Sequence, residues 1–190
     1  MRLPREPARE PRGRGTPQCL HDPVPSRPAL AAIAAALGMR VLGLARRPGT
    51  LPAGVAAADK ASLFAQSDVV VLCCPLTEQT RGLVDAATLA GMKPRALLIN
   101  VARGPVVDTA ALLAALRAGR LGGAALDVHE RQPLQPGDAV FDAPNLLLTP
   151  HVAGITETSM RAMSEAAIAT LLALLAGERP SNVVNPEVFP

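Results

Sequence analysis

Three residues able to do chemistry recur along this chain, each just past a short apolar run. Arg103 follows Leu97-Leu98-Ile99-Asn100, Asp127 follows Gly123-Ala124-Ala125-Leu126, and His151 follows Asn145-Leu146-Leu147-Leu148-Thr149-Pro150. Apolar runs of this length, bounded by turn residues, are the pattern of strands buried on both faces of a parallel sheet. A parallel sheet gathers its strand ends at one edge, and open α/β sheets bind ligands in the crevice there. An arginine at that edge offers a planar fork for a carboxylate or a polarised carbonyl oxygen. A histidine exchanges a proton near neutral pH. Together they suit the interconversion of a carbonyl and an alcohol. Each also has a plain structural reading: Arg103 paired with a surface acid, His151 a packed or exposed residue. For Arg103 alone the two readings balance; three such residues at one edge favour the chemical one.

The elements that must position these residues are legible around them. Gly104 and Pro105 break the chain after Arg103, and Asp108 is a good N-cap for a helix over Thr109–Ala118 that closes at Gly119. Upstream, the pattern predicts a helix over Ala29–Leu37 ended by Gly38 and a strand over Arg40–Leu44. A helix around Lys60–Gln66 follows, then a buried strand, Asp68–Cys74, closed by Pro75. Asp85 caps a further helix through about Met92. Strands over Gly123–Val128 and Asn145–Thr149 flank a polar loop at 129–144, and Thr156 caps a last helix over Glu157–Ala176. Strands alternating with helices define an α/β chain with a doubly wound parallel sheet.

Composition narrows the class further. A chain of 190 residues suits one domain with a real core. Tryptophan and tyrosine are absent, and Phe64, Phe141 and Phe189 are the aromatic residues, so the core is aliphatic. That disfavours the stacking platforms used to bind single-stranded nucleic acid. Cys19, Cys73 and Cys74 fit neither a disulfide framework nor a zinc site, and no metal is expected. No apolar run reaches membrane-spanning length and no signal peptide is recognisable, so a cytoplasmic protein is expected. Residues 1–28 hold six arginines against Glu6, Glu10 and Asp22, a net +3 that equals the formal charge of the whole chain. With its many prolines this stretch reads as a disordered Arg/Pro-rich arm rather than a nucleic-acid contact. The ordered unit is expected over 29–186, with a tail at 187–190.

Longer motifs carry a resemblance. Ile99-Asn100-Val101-Ala102-Arg103-Gly104-Pro105-Val106-Val107-Asp108, the run Leu126-Asp127-Val128-His129-Glu130-Arg131-Gln132-Pro133 and Leu148-Thr149-Pro150-His151-Val152-Ala153-Gly154 resemble the nucleotide-binding domain of the D-isomer-specific 2-hydroxyacid dehydrogenases. Pro75–Asp85 and Asn182–Pro186 agree, so the likeness runs from about Ala29 to Pro186. It implies a Rossmann-like domain that binds NAD or NADP and transfers hydride between the cofactor and a small 2-oxo or 2-hydroxy acid. It implies that Arg103 binds the substrate's carboxylate and carbonyl oxygen and that His151 is the acid/base. It places the nucleotide against Cys74, Pro75, Val101, Ala102, Asp127, His151 and Gly154. A homodimer is implied for an intact member of the family, and neither nucleic acid nor a membrane as partner.

The sequence departs from the family's pattern in three places. Gln132 stands where the family has the glutamate that holds and charges the catalytic histidine. Its carbonyl can accept the imidazole N–H and fix the tautomer, but it brings no charge to the imidazolium. Glu130 is a possible stand-in, or a solvated loop acid. The family's first strand and glycine-rich phosphate loop are not recognisable before Ala29: Gly13-Arg14-Gly15 sits among prolines with no apolar run ahead of it. The substrate domain is absent. The expectation is therefore a domain lacking its first strand, from an inactive fragment of such an enzyme. The alternative is a catalytically silent nucleotide-binding or dimerisation module, like the family's corepressor relatives. NADP is the favoured cofactor: where an acid would bind the ribose 2′-hydroxyl the chain has Ala45, followed by Arg46 and Arg47.

Overall fold

The computed structural model describes residues 15–20, 26–45, 50–180, 182–183 and 185–189. They fall into two compact units, Met1–Pro150 and His151–Pro190, where the sequence suggested one body from 29 to 186.

The first unit is built on seven strands: β1 (Gly15–Leu20), β2 (Arg40–Ala45), β3 (Ala56–Ala57), β4 (Val69–Leu72), β5 (Leu97–Asn100), β6 (Gly123–Leu126) and β7 (Leu146–Leu148). They lie in the order β3-β2-β1-β4-β5-β6-β7, and every neighbouring pair is parallel. Strand order reverses between β1 and β4, the switch point at which doubly wound sheets bind ligands. All seven carboxyl ends therefore share one edge.

Among the described residues four α-helices accompany these strands: α1 (Ser26–Ala36), α2 (Lys60–Gln66), α3 (Ala86–Gly91) and α4 (Thr109–Arg117). Three start on an aspartate whose carboxylate accepts a backbone amide of the first turn: Asp59 from Ser62, Asp85 from Thr88 and Asp108 from Ala111. These caps satisfy donors that the helix leaves unpaired, which is why the sequence locates them well. Leu63, Phe64, Val70, Leu72, Leu98, Val106 and Leu112 are among the buried residues joining helices to sheet. Cys73 and Cys74 are buried in this core.

The expectation of a missing first strand is corrected here. Gly15–Leu20 forms β1 in the middle of the sheet, paired with β2 over its whole length. With β4 it pairs only at Gln18 and Cys19, beyond Pro17, which has no amide to donate. The segment has little strand character of its own. A slot between β2 and β4 would leave two rows of backbone groups unpaired, and that cost outweighs weak local propensity. The helix after it likewise begins earlier than expected, at Ser26 rather than Ala29. The reading of residues 1–28 as devoid of structure thus fails for 15–20 and 26–28; residues 1–14 and 21–25 lie outside the described residues. The two-residue β3 was not foreseen either.

In the second unit Thr156 and Ser159 form a reciprocal capping box at the start of α5 (Glu157–Leu175). Asn182 reaches back to the Thr170 hydroxyl at 2.9 Å. Among the described residues no helix is long and apolar enough to cross a membrane.

Candidate active site

Arg103 leaves the carboxyl end of β5 through a turn that Asn100 holds. Asn100 is 1% exposed. Its Nδ2 donates to the carbonyl of Arg103 at 3.1 Å, and its Oδ1 accepts from the amide of Ala102 at 3.0 Å. A buried side-chain amide thus replaces the sheet partners the chain loses as β5 ends. The Arg103 side chain is exposed, and its Nη1 donates to the carbonyl of Ala102 at 2.6 Å. Among the described residues no carboxylate pairs with it. The competing reading, an arginine matched to a surface acid, therefore finds no acid.

Asp127 follows β6 and is 6% exposed. Its amide donates to the Asn100 carbonyl at 3.0 Å, continuing the ladder past the strands. Its Oδ1 accepts the Thr149 hydroxyl at 2.6 Å. The structure thus brings the β5 end bearing Arg103 beside the β6 end bearing Asp127, as the sequence predicted.

The loop after β4 is tied to the same edge. Cys74 is buried, Pro75 half-buried, and the Thr80 hydroxyl donates to the Pro75 carbonyl at 2.7 Å. Further on, the amides of Gly82 and Val84 donate to Pro105 and Val106 at 2.9 and 3.0 Å, and Asp108 donates back to Val84 at 2.9 Å. The Pro75 loop and the Arg103 loop are therefore joined backbone to backbone. Between them, Ala102 is buried and Val101 is 40% exposed, an apolar surface at the edge of the sheet.

The remaining candidates belong to other segments of the chain. Gln132 is exposed in the loop after β6. Glu130, the possible stand-in for the family glutamate, accepts from the Thr109 amide at 3.4 Å and so serves the amino end of α4. His151 opens the second unit, exposed, with a left-handed φ of 61°. Gly154, also there, accepts the Ser159 hydroxyl at 2.6 Å. Arg46 and Arg47 lie outside the described residues. Sequence reasoning missed what Asn100, Thr80 and Thr149 do. A polar residue closing an apolar strand was the only available signal for Asn100, and its partners are visible only in the fold.

An all-parallel sheet with its switch point between β1 and β4, and an arginine and a buried aspartate on its carboxyl edge, defines a dinucleotide-binding domain of the doubly wound class. Residues 28–153 match the family model described as D-isomer specific 2-hydroxyacid dehydrogenase, NAD binding domain. The chain belongs to that family. It is 45% identical over 131 residues to glyoxylate reductase of Thermofilum pendens, covering 69% of this chain and 39% of that protein. It is 40% identical over 159 residues to glycerate dehydrogenase of Methylorubrum extorquens, covering 83% and 49%. A D-isomer specific 2-hydroxyacid dehydrogenase from Xanthobacter autotrophicus Py2, solved with NADPH and MES, superposes with a TM-score of 0.77 at 36% identity, over 97% of this chain and 77% of that one. The chain spans less than half the length of these two curated relatives. Both are named as enzymes, and nothing in them supports the corepressor alternative. The domain is of the NAD-binding kind, and solved neighbours hold NADPH or NAD.

The nicotinamide end of such a cofactor fits what the fold offers: the exposed face of Val101, the half-buried Pro75 and the carboxylate of Asp127 on one edge. The pyrophosphate end meets a sequence without the usual glycines, since the residues between β1 and α1 read His21-Asp22-Pro23-Val24-Pro25.

Proposed function

We propose that this chain carries the nucleotide-binding part, and the anion-gripping arginine, of a dehydrogenase acting between NAD(P) and a 2-oxo or D-2-hydroxy acid. The observation that carries this reading is Arg103, exposed, without an acidic partner among the described residues, and held at the carboxyl edge by buried Asn100. Its guanidinium is suited to bind the carboxylate and carbonyl oxygen of a 2-oxo acid together. In reduction it also stabilises the negative charge that grows on that oxygen. Pro75, Val101 and Asp127 would hold a nicotinamide along the edge, which would supply or accept the hydride. His151 gives the proton to the oxygen in reduction and takes it back in oxidation. Gln132 offers a neutral acceptor carbonyl where the family has a charged carboxylate, so it adds no charge. Ala45, Arg46 and Arg47 favour NADP, because an arginine there accommodates the 2′-phosphate that an acid would repel.

Proline in the phosphate-binding stretch removes amide donors. The nucleotide affinity of the chain by itself is therefore expected to be millimolar, with no measurable turnover. Calorimetric titration with NADPH and NADH, alongside reduction assays with glyoxylate and hydroxypyruvate, tests this. Weak binding that favours NADPH, and that Arg46→Ala with Arg47→Ala equalises, supports the reading. Micromolar binding, or turnover that His151→Ala removes, overturns the expected weakness. No binding of either nucleotide up to millimolar concentration overturns the nucleotide-site reading itself.

A further inference from the structure

Thr149 is held by every polar group it has. Its amide donates to the Leu126 carbonyl at 3.0 Å, its hydroxyl donates to Asp127 Oδ1 at 2.6 Å, and its carbonyl accepts from His129 Nε2 at 3.1 Å. The first extends the β6–β7 pairing one residue past the end of β7. The other two are side-chain bonds from the turn that follows β6, and they converge on the residue two positions before His151.

We propose that His129 is a positioning residue, whose ring N–H pins the Thr149 peptide and so fixes the carboxyl end of β7, the strand end from which the chain runs on through Pro150 to His151. The proposal rests on the reading of His151 as the proton carrier. A carbonyl oxygen only accepts, so Nε2 bears a hydrogen and donates it. Nδ1 is buried with no protein partner among the described residues, so Nε2 alone makes the connection. The backbone of His129 is itself fixed from the other side. A Cβ added to Gly104 would collide with the carbonyl carbon and oxygen of His129 and with the Glu130 nitrogen. The loop bearing Arg103 and the turn bearing His129 therefore touch backbone to backbone, which a side chain at 104 would prevent. His129 thus ties the loop that presents the substrate-gripping arginine to the strand end that precedes the histidine. The geometry alone assigns this role.

The test uses the full 190-residue chain and needs neither cofactor nor turnover. Nitrogen-15 shifts of the His129 ring report its tautomer in the unmodified chain. Amide hydrogen exchange is then compared in His129→Phe, which keeps a flat ring without the donor, and in His129→Gln, which restores an N–H at similar reach. We expect the Nε2–H tautomer. We expect exchange at the Thr149 and His151 amides to rise about five-fold in His129→Phe, the factor that ~1 kcal/mol of net hydrogen bonding represents. His129→Gln should reverse most of that rise, while amides within α4 stay unchanged in both. A ring that merely fills space gives the opposite order, with Phe harmless and Gln disruptive, and that result overturns the proposal. So does an Nδ1–H tautomer in the unmodified chain, a measurement that stands even if a variant fails to fold. A chain with the expected exchange pattern but no nucleotide binding would sink the dehydrogenase reading and leave the positioning role of His129 intact.

Discussion

Asn100 and Arg103 are joined by a buried clasp: the amide of Asn100 donates to the Arg103 carbonyl at 3.1 Å while its oxygen accepts from Ala102 at 3.0 Å. The residue that ends β5 thereby shapes the turn that presents the cation. Asn100→Leu keeps the volume and removes both bonds: the Ala102 amide loses its partner, while the Arg103 carbonyl keeps the Val106 amide at 3.2 Å. One buried donor left unpaired costs about 1–3 kcal/mol, and a destabilisation of that size is expected. Urea denaturation checks it: the midpoint should fall with the slope unchanged. A shift no larger than that of an ordinary surface substitution would show that the clasp contributes little.

Gly104 carries a second prediction. A methyl there meets the backbone of His129 and Glu130, not the yielding end of a side chain. One of the two loops must move, and overpacking against backbone costs about 3 kcal/mol or more. Gly104→Ala should therefore lower the melting temperature sharply. Gly91→Ala, where an added Cβ meets nothing within 4 Å, serves as the control and should change little. Equal effects of the two would mean that the close approach of the loops is not rigid.

The regular elements were legible because their signals are local. Asp59, Asp85, Asp108 and Thr156 each announce a helix through the type of residue and the apolar pattern after it, and all four accept amide hydrogens at the helix start. β4, β5, β6 and β7 read as strands because they are apolar runs bounded by turns. β1 was not legible, since Gly15-Thr16-Pro17-Gln18-Cys19-Leu20 owes its conformation to the gap between two other strands. At the site, the arginine and the aspartate could be read from their place after apolar runs. Their supports could not. Asn100, Thr80, His129 and Thr149 act through partners 3, 5, 20 and 22 residues away, and only the fold reveals those pairs.

Acid should weaken the α2 cap in a definite direction. The Ser62 amide, at 2.8 Å, and then the Ser62 hydroxyl, at 2.7 Å, bond the charged carboxylate of Asp59 and hold its pKa below the ordinary 3.8. The charged form is favoured by folding, so the contribution is complete above that ordinary value and is lost as pH falls through the depressed one. Asp59→Asn keeps an acceptor oxygen but does not titrate. The native chain should melt higher than this variant near neutrality, and the gap should close as pH drops below about 4. Melting temperatures of both proteins across that range decide the matter; a gap that persists or widens in acid would contradict the assigned cause.

The final prediction concerns the stretch between β1 and α1. β1 ends at Leu20 and α1 begins at Ser26, the strand-then-helix setting in which a glycine-rich loop cradles a pyrophosphate. No glycine lies between Gly15 and Gly38. Pro23 and Pro25 have no amide hydrogen to offer, and Asp22 adds a negative charge to the same stretch of sequence. Asp22→Gly, Val24→Gly and Arg27→Gly recreate the G-x-G-x-x-G spacing, with the third glycine in the first turn of α1. Pro23→Ala and Pro25→Ala return two donors. A hydrogen bond to a charged group is worth about 1.5–3 kcal/mol, so two regained amides correspond to at least a hundred-fold gain in NADPH affinity. Calorimetric titration of the five-fold variant against the native chain measures that gain directly. The melting temperature of each free protein shows whether the sheet has survived the change. A variant that melts like the native chain yet binds NADPH no better would show that the loop is not what limits the nucleotide, and the weakness would then have to lie at the Pro75, Val101 and Asp127 end of the edge.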